Sequence, residues 1–216
     1  MPSKRKEKRR SELRNPASKN LDRLSALQIV RLMNREDRRV ADAVGDALPS
    51  IARAVDAIVK AIGAGGRLIY VGAGSSGRIA VLDAAECPPT FGTSPKLVQA
   101  LIAGGSKAVT GAVEGAEDSP ANAVRDLRQI KLTKRDVVAG ICASGTTPYV
   151  LGALRFASKV GAATIAITVN RHTPVARLAD ILIATDVGPE VLTGSTRLKS
   201  GTSQKMVLNM LTTAAM

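Results

Sequence analysis

Arg67-Leu-Ile-Tyr-Val-Gly-Ala-Gly-Ser-Ser-Gly-Arg-Ile-Ala-Val-Leu-Asp-Ala-Ala-Glu-Cys-Pro-Pro89 is the stretch on which the fold turns. Leu68 to Val71 form a short run that is apolar on both faces, the pattern of an interior strand in a parallel sheet. The glycine-rich turn Gly72 to Gly77 follows, and Arg78 onward reads as a helix ending near Ala85, where Pro88-Pro89 forbid continuation. Strand, turn and helix start together make an anion site, because free backbone N–H groups and the helix dipole both favour negative charge. Gly74, Ser75 and Ser76 stand where a phosphoryl group would sit, and Glu86 lies near the far end of the same unit.

Downstream, the pattern alternates. Strands are expected at 68–71, 97–102, 136–142, 163–169 and 181–185, with helices at 76–85, 106–117, 120–130, 147–160, 174–179 and 202–215. Such alternation implies an α/β fold: a five-stranded parallel sheet covered on both faces, an αβα arrangement of three layers. Upstream, Ser25 and Gln28 form a capping box, Asn34 and Asp37 suggest a fresh helix start, and Pro49 opens a third helix through Ile62. We divide the chain into a basic flexible tail (1–15) and one domain (16–216), in which a helical lead-in precedes the α/β core (66–216).

Composition narrows the function. The 216 residues carry 31 Lys+Arg and 18 Asp+Glu, a net charge of +13. Residues 1–40 hold 13 of those cations and 5 of the acids, so most of the excess belongs to the tail, read as a solvated segment. Two Tyr, two Phe and no Trp provide no base-stacking surface, which argues against a nucleic-acid partner. No apolar run reaches the length of a membrane span, and two unpatterned cysteines suggest neither a disulfide framework nor a zinc site. A cytoplasmic protein without a metal is expected.

The loops after the strands carry the chemistry. Gly72 to Gly77 matches G-x-G-x-x-G, but a dinucleotide site also needs an acid closing the second strand. That strand ends Leu101-Ile-Ala-Gly-Gly105, so no nicotinamide cofactor is expected. After the third strand, Ser144, Gly145, Thr146 and Thr147 supply more hydroxyls than a helix cap needs and read as phosphate or sugar ligands. Glu114 and Glu117, three apart on the expected helix, read alone as a solvated acidic helix end. Before the last helix, Glu190, Ser195 and Lys199 supply a further possible lining. His172 reads as a surface histidine.

Five motifs bear a resemblance: Gly66 to Arg78, Leu82 to Gly92, Ala112 to Asp118, Ala143 to Tyr149 and Val191 to Lys199. In order and spacing they resemble the N-acetylmuramic acid 6-phosphate etherase family, which has the sugar isomerase (SIS) fold. The similarity begins near Arg14 and runs to Met216; family members continue with a further helical region. Ser75 stands where the family usually has Thr. The resemblance implies cleavage of the D-lactyl ether of N-acetylmuramic acid 6-phosphate, giving N-acetylglucosamine 6-phosphate and D-lactate in cell-wall recycling, with no cofactor. It makes Glu86 the acid that protonates departing lactate, kept protonated by partial burial. Glu117 rather than Glu114 becomes the ionised base at C2. A homodimer is expected. The same fold serves aldose–ketose isomerases, which have no evident need for Glu86-Cys-Pro-Pro. It also serves non-catalytic sugar-phosphate regulators, which gain nothing from two carboxylates beside an anion.

Overall fold

The computed structural model describes residues 10–216. Two long helices lead in: α1 (Ala26–Gly45) and α2 (Leu48–Gly63). The core then runs β1 (Leu68–Gly72), α3 (Gly74–Phe91), β2 (Val98–Ile102), α4 (Lys107–Thr110), α5 (Pro120–Gln129), β3 (Val137–Ile141), α6 (Pro148–Val160), β4 (Ala163–Thr168), β5 (Ile181–Ala184) and α7 (Lys199–Ala215). The five strands pair in parallel in the order β2-β1-β3-β4-β5.

Alternation along β1 divides the core into two. Leu68 and Tyr70 face a layer built from α1, α2, α3 and α7, whereas Ile69 and Val71 face α5 and α6. Both sets are fully buried, which is why β1 reads as a continuous apolar run. The expected three layers are therefore present. Close packing of α3 on the sheet depends on Gly77: a Cβ there would stand 2.5 Å from Ile102 Cγ1. The chain leaves β1 in one direction for β2 and returns past it to β3, so strand order reverses between β1 and β3. Their C-terminal loops emerge side by side, at the place where open parallel sheets bind ligands.

Several boundaries differ from the expectations. α1 runs unbroken past Asn34 and Asp37, because Leu32, Glu36, Val40, Ala43 and Val44 keep one buried stripe in phase. α3 does not stop before the prolines; it includes Pro88 and Pro89 and closes on Gly92 at φ +67°, whose N–H reaches Pro88 O at 2.9 Å. Prolines in a final turn forfeit only the last ladder bonds, and the left-handed glycine ends the helix one turn later. The helix expected at 106–117 shrinks to α4. Gly111 is extended, Gly115 sits at φ +70°, and Glu117 falls in a 3-10 turn, Ala116–Asp118, just ahead of α5. Residues 174–179 form only a 3-10 turn, Val175–Arg177. α7 starts at Lys199, one turn early.

The basic run at 4–9 lies outside the described residues. From Arg10 the expected flexible tail is instead packed: Arg10 pairs with Asp186, Ser11 Oγ accepts from Asn170 Nδ2 at 3.1 Å, and Asn15 Nδ2 donates to Glu36 at 2.8 Å.

Candidate active site

At the start of α3, Ala73 is the residue before the first turn and makes no side-chain cap. Gly77 N–H bonds to Ala73 O, which leaves the N–H groups of Gly74, Ser75 and Ser76 outside the helical ladder. Gly74 takes φ +51°, a conformation that costs a glycine little. Ser75 is half-buried. Ser76 is buried, and its Oγ–H donates to Gln204 Oε1 on α7 at 2.9 Å. Its hydroxyl is therefore already directed inward, and it is the backbone of this turn that faces outward.

A cleft of about 210 Å³ opens there. Gly74 and Arg78 line one side, and Glu114 and Glu117 the other, so the glycine-rich turn and the acidic loop meet. Arg78 sets that spacing by donating to Val109 O at 3.0 Å and Gly111 O at 2.7 Å, which ties the loop after α4 to α3. A larger hollow of about 820 Å³ adjoins it over the edge strand β2, sharing Val113 to Ala116. It lies away from the free N–H groups, so chemistry rather than volume singles out the smaller cleft.

The loop after β3 emerges beside this turn, since Gly72 and Ile141 are register partners. It is wound around one sulfur. Cys142 Sγ accepts from Gly145 N at 3.1 Å and Thr147 N at 3.4 Å, and its S–H donates to Thr147 Oγ1 at 3.0 Å. Ser144 Oγ and Thr146 Oγ1 lie 3.1 Å apart. Gly145 stands at φ +75°, and a Cβ on it would meet Thr173 Cβ at 2.4 Å, so only glycine fits.

The remaining expected site residues lie elsewhere. Glu190 is fully buried: Oε2 accepts Lys199 N–H at 3.1 Å, while Oε1 accepts Ser200 N–H at 2.9 Å and Ser200 Oγ–H at 2.7 Å. It caps α7. Lys199 is 1% exposed and donates to Glu36 Oε2 at 2.8 Å. Burial pushes the Glu36 carboxyl up, but hydrogen bonds from Lys199 and Asn15 outweigh it and hold it below its ordinary value. Ser195 is half-buried in the loop before α7.

Glu86 lies in the closing turns of α3, twelve residues beyond Gly74 and about 18 Å along the helix axis. It is exposed, not partly buried as expected. One turn earlier, on the core side of α3, burial raises the Asp83 carboxyl above its ordinary value despite donors from Tyr70, Asn209 and Thr212. That cluster fixes α3 to β1 and α7. Burial, with Asp83 close by, pushes the Cys87 thiol up to about 11, which makes it a poor nucleophile.

Sequence reading misses Arg78, Cys142 and Gln204. For Gln204 a signal exists: it shares the apolar stripe of α7 with Val207, Leu208 and Leu211, an unusual place for an amide. Among the described residues no cluster of His, Cys, Asp and Glu is arranged to hold a metal, and no helix is long and apolar enough to cross a membrane.

Known proteins resemble this chain in both sequence and fold. Residues 50–158 match the glucokinase regulatory protein N-terminal SIS domain, and residues 119–214 match the SIS domain. An N-acetylmuramic acid 6-phosphate etherase of Vibrio campbellii is 58% identical over 206 residues, which are 95% of this chain and 67% of the relative. One of Pectobacterium atrosepticum is 57% identical over 206 residues, covering 95% of this chain and 68% of the relative. Among solved structures, a phosphoheptose isomerase from Francisella tularensis superposes with a TM-score of 0.68 at 18% identity, over 89% of this chain and 98% of that one. The fold is the SIS fold, and the chain belongs to the N-acetylmuramic acid 6-phosphate etherase family.

Proposed function

We propose that this protein is a carbon–oxygen lyase that cleaves the D-lactyl ether of N-acetylmuramic acid 6-phosphate in the cytoplasm, as part of amino sugar recycling. The observation that carries the reading is the meeting of Gly74, the first residue of the free N–H turn, with Glu117 across one cleft, in a chain 58% identical to a named etherase. The turn would take the 6-phosphate, with Ser144, Gly145, Thr146 and Thr147 on the neighbouring loop holding the phosphate and sugar oxygens.

The chemistry runs through the open-chain sugar, whose C1 aldehyde acidifies the proton on C2. Glu117 removes that proton, and the electron pair forms the C2–C3 double bond as the C3–O bond breaks. Glu86 gives its proton to the leaving lactate oxygen. Water then adds at C3, with Glu86 taking its proton, and C2 recovers a proton from Glu117. Elimination and addition leave N-acetylglucosamine 6-phosphate and D-lactate, and each positioned acid or base contributes about 10²–10⁴-fold.

Glu86 sits about 18 Å along α3 from the phosphate turn, further than one hexose phosphate reaches. The two-carboxylate reading therefore calls for a homodimer in which each cleft receives Glu86 from the other subunit. The test is D-lactate release from N-acetylmuramic acid 6-phosphate by this protein and by Glu86→Ala. Lactate from the parent alone supports the proposal. A second reading, a sugar-phosphate-binding regulator, is favoured by the match of residues 50–158 to the glucokinase regulatory protein domain. Sugar phosphate bound without lactate from the parent would select it.

A further inference from the structure

The candidate ligand loop at 144–147 is propped from outside by the segment that follows β4. Asn170 Nδ2 donates to Ala143 O at 3.0 Å and lies 3.5 Å from Ser144 O. The same nitrogen donates to Ser11 Oγ at 3.1 Å. Carbonyl oxygens only accept, so the end of the amide that stands here is the donor end. Asn170 is 8% exposed and Ser11 fully buried, which keeps these bonds away from competing water. Thr168 Oγ1 also donates to Ala143 O, at 3.1 Å, and Val175 N–H reaches Gly145 O at 3.2 Å.

Ser11 is held from both sides. Arg10 pairs with Asp186, just after β5, and Asn15 Nδ2 donates both to Glu36 on α1 and to Pro189 O at 3.0 Å. Residues 10–15 thus form a strap beside the loops after β4 and β5, and the Ser11 hydroxyl is where the strap meets Asn170. The strap lines neither the small cleft nor the larger hollow.

We infer that Asn170 is a positioning residue of the ligand loop, and that Ser11 acts through it to make the N-terminal strap part of the ligand-binding apparatus. The amide fixes the carbonyls of Ala143 and Ser144, and with them the direction in which Ser144, Thr146 and Thr147 present their hydroxyls. The inference rests on the reading of this loop as the holder of phosphate and sugar oxygens. It adds a support that reaches, through one amide, 159 residues back along the chain.

Asn170→Leu keeps nearly the volume and removes both donors, whereas Asn170→Asp keeps the shape and sets a carboxylate oxygen against the carbonyls. The probe is inorganic phosphate. Its dissociation constant is followed beside KM and kcat for lactate release, amide exchange at 144–147 and the thermal midpoint. Both variants should weaken phosphate binding and raise KM about tenfold, the scale of one or two lost hydrogen bonds, with kcat changed far less. Exchange at 144–147 should quicken. Should Asn170→Asp fail to fold, Asn170→Leu carries the comparison, because it buries no charge. Ser11→Ala, the mildest change, should cost about threefold alone and nothing further in the Asn170→Leu background. Thr164→Val is the control: it removes a buried bond to Asp180 Oδ2, 2.8 Å long, at the other end of β4. It should lower the thermal midpoint without moving phosphate affinity or KM.

Unchanged exchange and phosphate affinity in a folded Asn170→Leu would overturn the inference and leave the reading of the loop standing. Faster exchange with unchanged affinity would take the loop out of the ligand site, and the inference with it. So would a parent that binds no phosphate at millimolar concentration. An equal rise of KM in Thr164→Val would reduce Asn170 to a structural role, and additive losses from Ser11→Ala and Asn170→Leu would remove the strap. Weaker phosphate binding in the variants of a parent that releases no lactate would keep both positioning residues and remove the etherase reading.

Discussion

Two helix starts in this protein look alike in sequence and differ in what they can do. α3 begins Gly-Ser-Ser-Gly and α7 begins Lys-Ser-Gly-Thr-Ser, both small and rich in hydroxyls. The first has no side-chain cap and presents the N–H groups of Gly74, Ser75 and Ser76. The second is closed by its own carboxylate, since both oxygens of buried Glu190 accept from the first residues of the helix. An anion is already seated at α7, and a ligand phosphoryl would have to displace it. Glycine and hydroxyl content marks a possible anion site, and the presence or absence of a buried internal acid decides whether it is open. Glu190 and Lys199 therefore act as framework, and the ligand chemistry concentrates at α3 and the loop after β3.

The largest effect expected from breaking this contrast is at the open end. Glu117→Gln should lower kcat about 10²–10⁴-fold while leaving the thermal midpoint unchanged, because the side chain is exposed in a 3-10 turn. Mixing sharpens the result. In a symmetric dimer that shares Glu86 between subunits, co-refolded Glu86→Ala and Glu117→Gln chains form one intact cleft per mixed pair and recover about a quarter of parental activity. No recovery would return Glu86 to its own chain's cleft and leave its reach unexplained.

At the closed end the expected loss is stability. Lys199→Met strands Glu36, 5% exposed, without its main counter-charge, at a cost of about 3–5 kcal/mol. For a chain of this length that is a fall of about 10 °C in thermal midpoint. Adding Glu36→Leu should recover much of it, as apolar replacements of buried pairs often do. A drop in phosphate affinity with no loss of stability would mean that Lys199 serves the ligand after all.

Acidity gives a smaller, directional test of the same pair. The Glu36 carboxyl lies below its ordinary 4.5 in the folded protein, so the unfolded chain binds the proton more tightly. Its contribution is fully present above about pH 4.5 and is lost as pH falls through the folded value. The stability gap between the parent and Glu36→Gln, measured by urea unfolding, should therefore be constant from pH 7 to 5 and shrink below that. A gap that widens in acid would show the pair assigned with the wrong sign.

What is legible in the sequence follows from how local each cause is. β1 and β3 are apolar on both faces, and the Ser25–Gln28 capping box is present with both of its bonds, so these elements can be read from a few neighbours. The acidic loop escapes such a reading because helical spacing of Glu114 and Glu117 says nothing of Gly115 at φ +70° between them. The end of α3 escapes it because proline is a breaker in a helix interior and tolerable in its last turn. Glu190 and Lys199 look like ligands by composition, and the partner of Lys199, Glu36, lies 163 residues away. Ser76 and Gln204 are likewise distant. No local pattern carries such pairings. They arise because α1, α3 and α7 share one face of the sheet.

The smallest predicted effects differ in sign between the two helix starts. Gly74 has φ +51°, and a Cβ placed on it would have nothing within 4 Å, so Gly74→Ala meets no clash and carries only backbone strain, about 1–2 kcal/mol. Gly201, in the first turn of α7, has no such angle, and its Cβ would rest at ordinary contact, 3.4 Å from Ile79 Cδ1 and Thr196 O. Gly201→Ala should therefore stabilise by about 0.5–1 kcal/mol, through the conformational freedom it removes from the unfolded chain. Paired thermal melts should move in opposite directions by a few degrees, and only Gly74→Ala should also raise KM, since relaxing its strain turns the N–H groups of Ser75 and Ser76 away from the cleft. If both variants melted lower and both raised KM, the α7 start would have to be as exposed to ligand as the α3 start, and the distinction between an open and a self-capped anion site would fail.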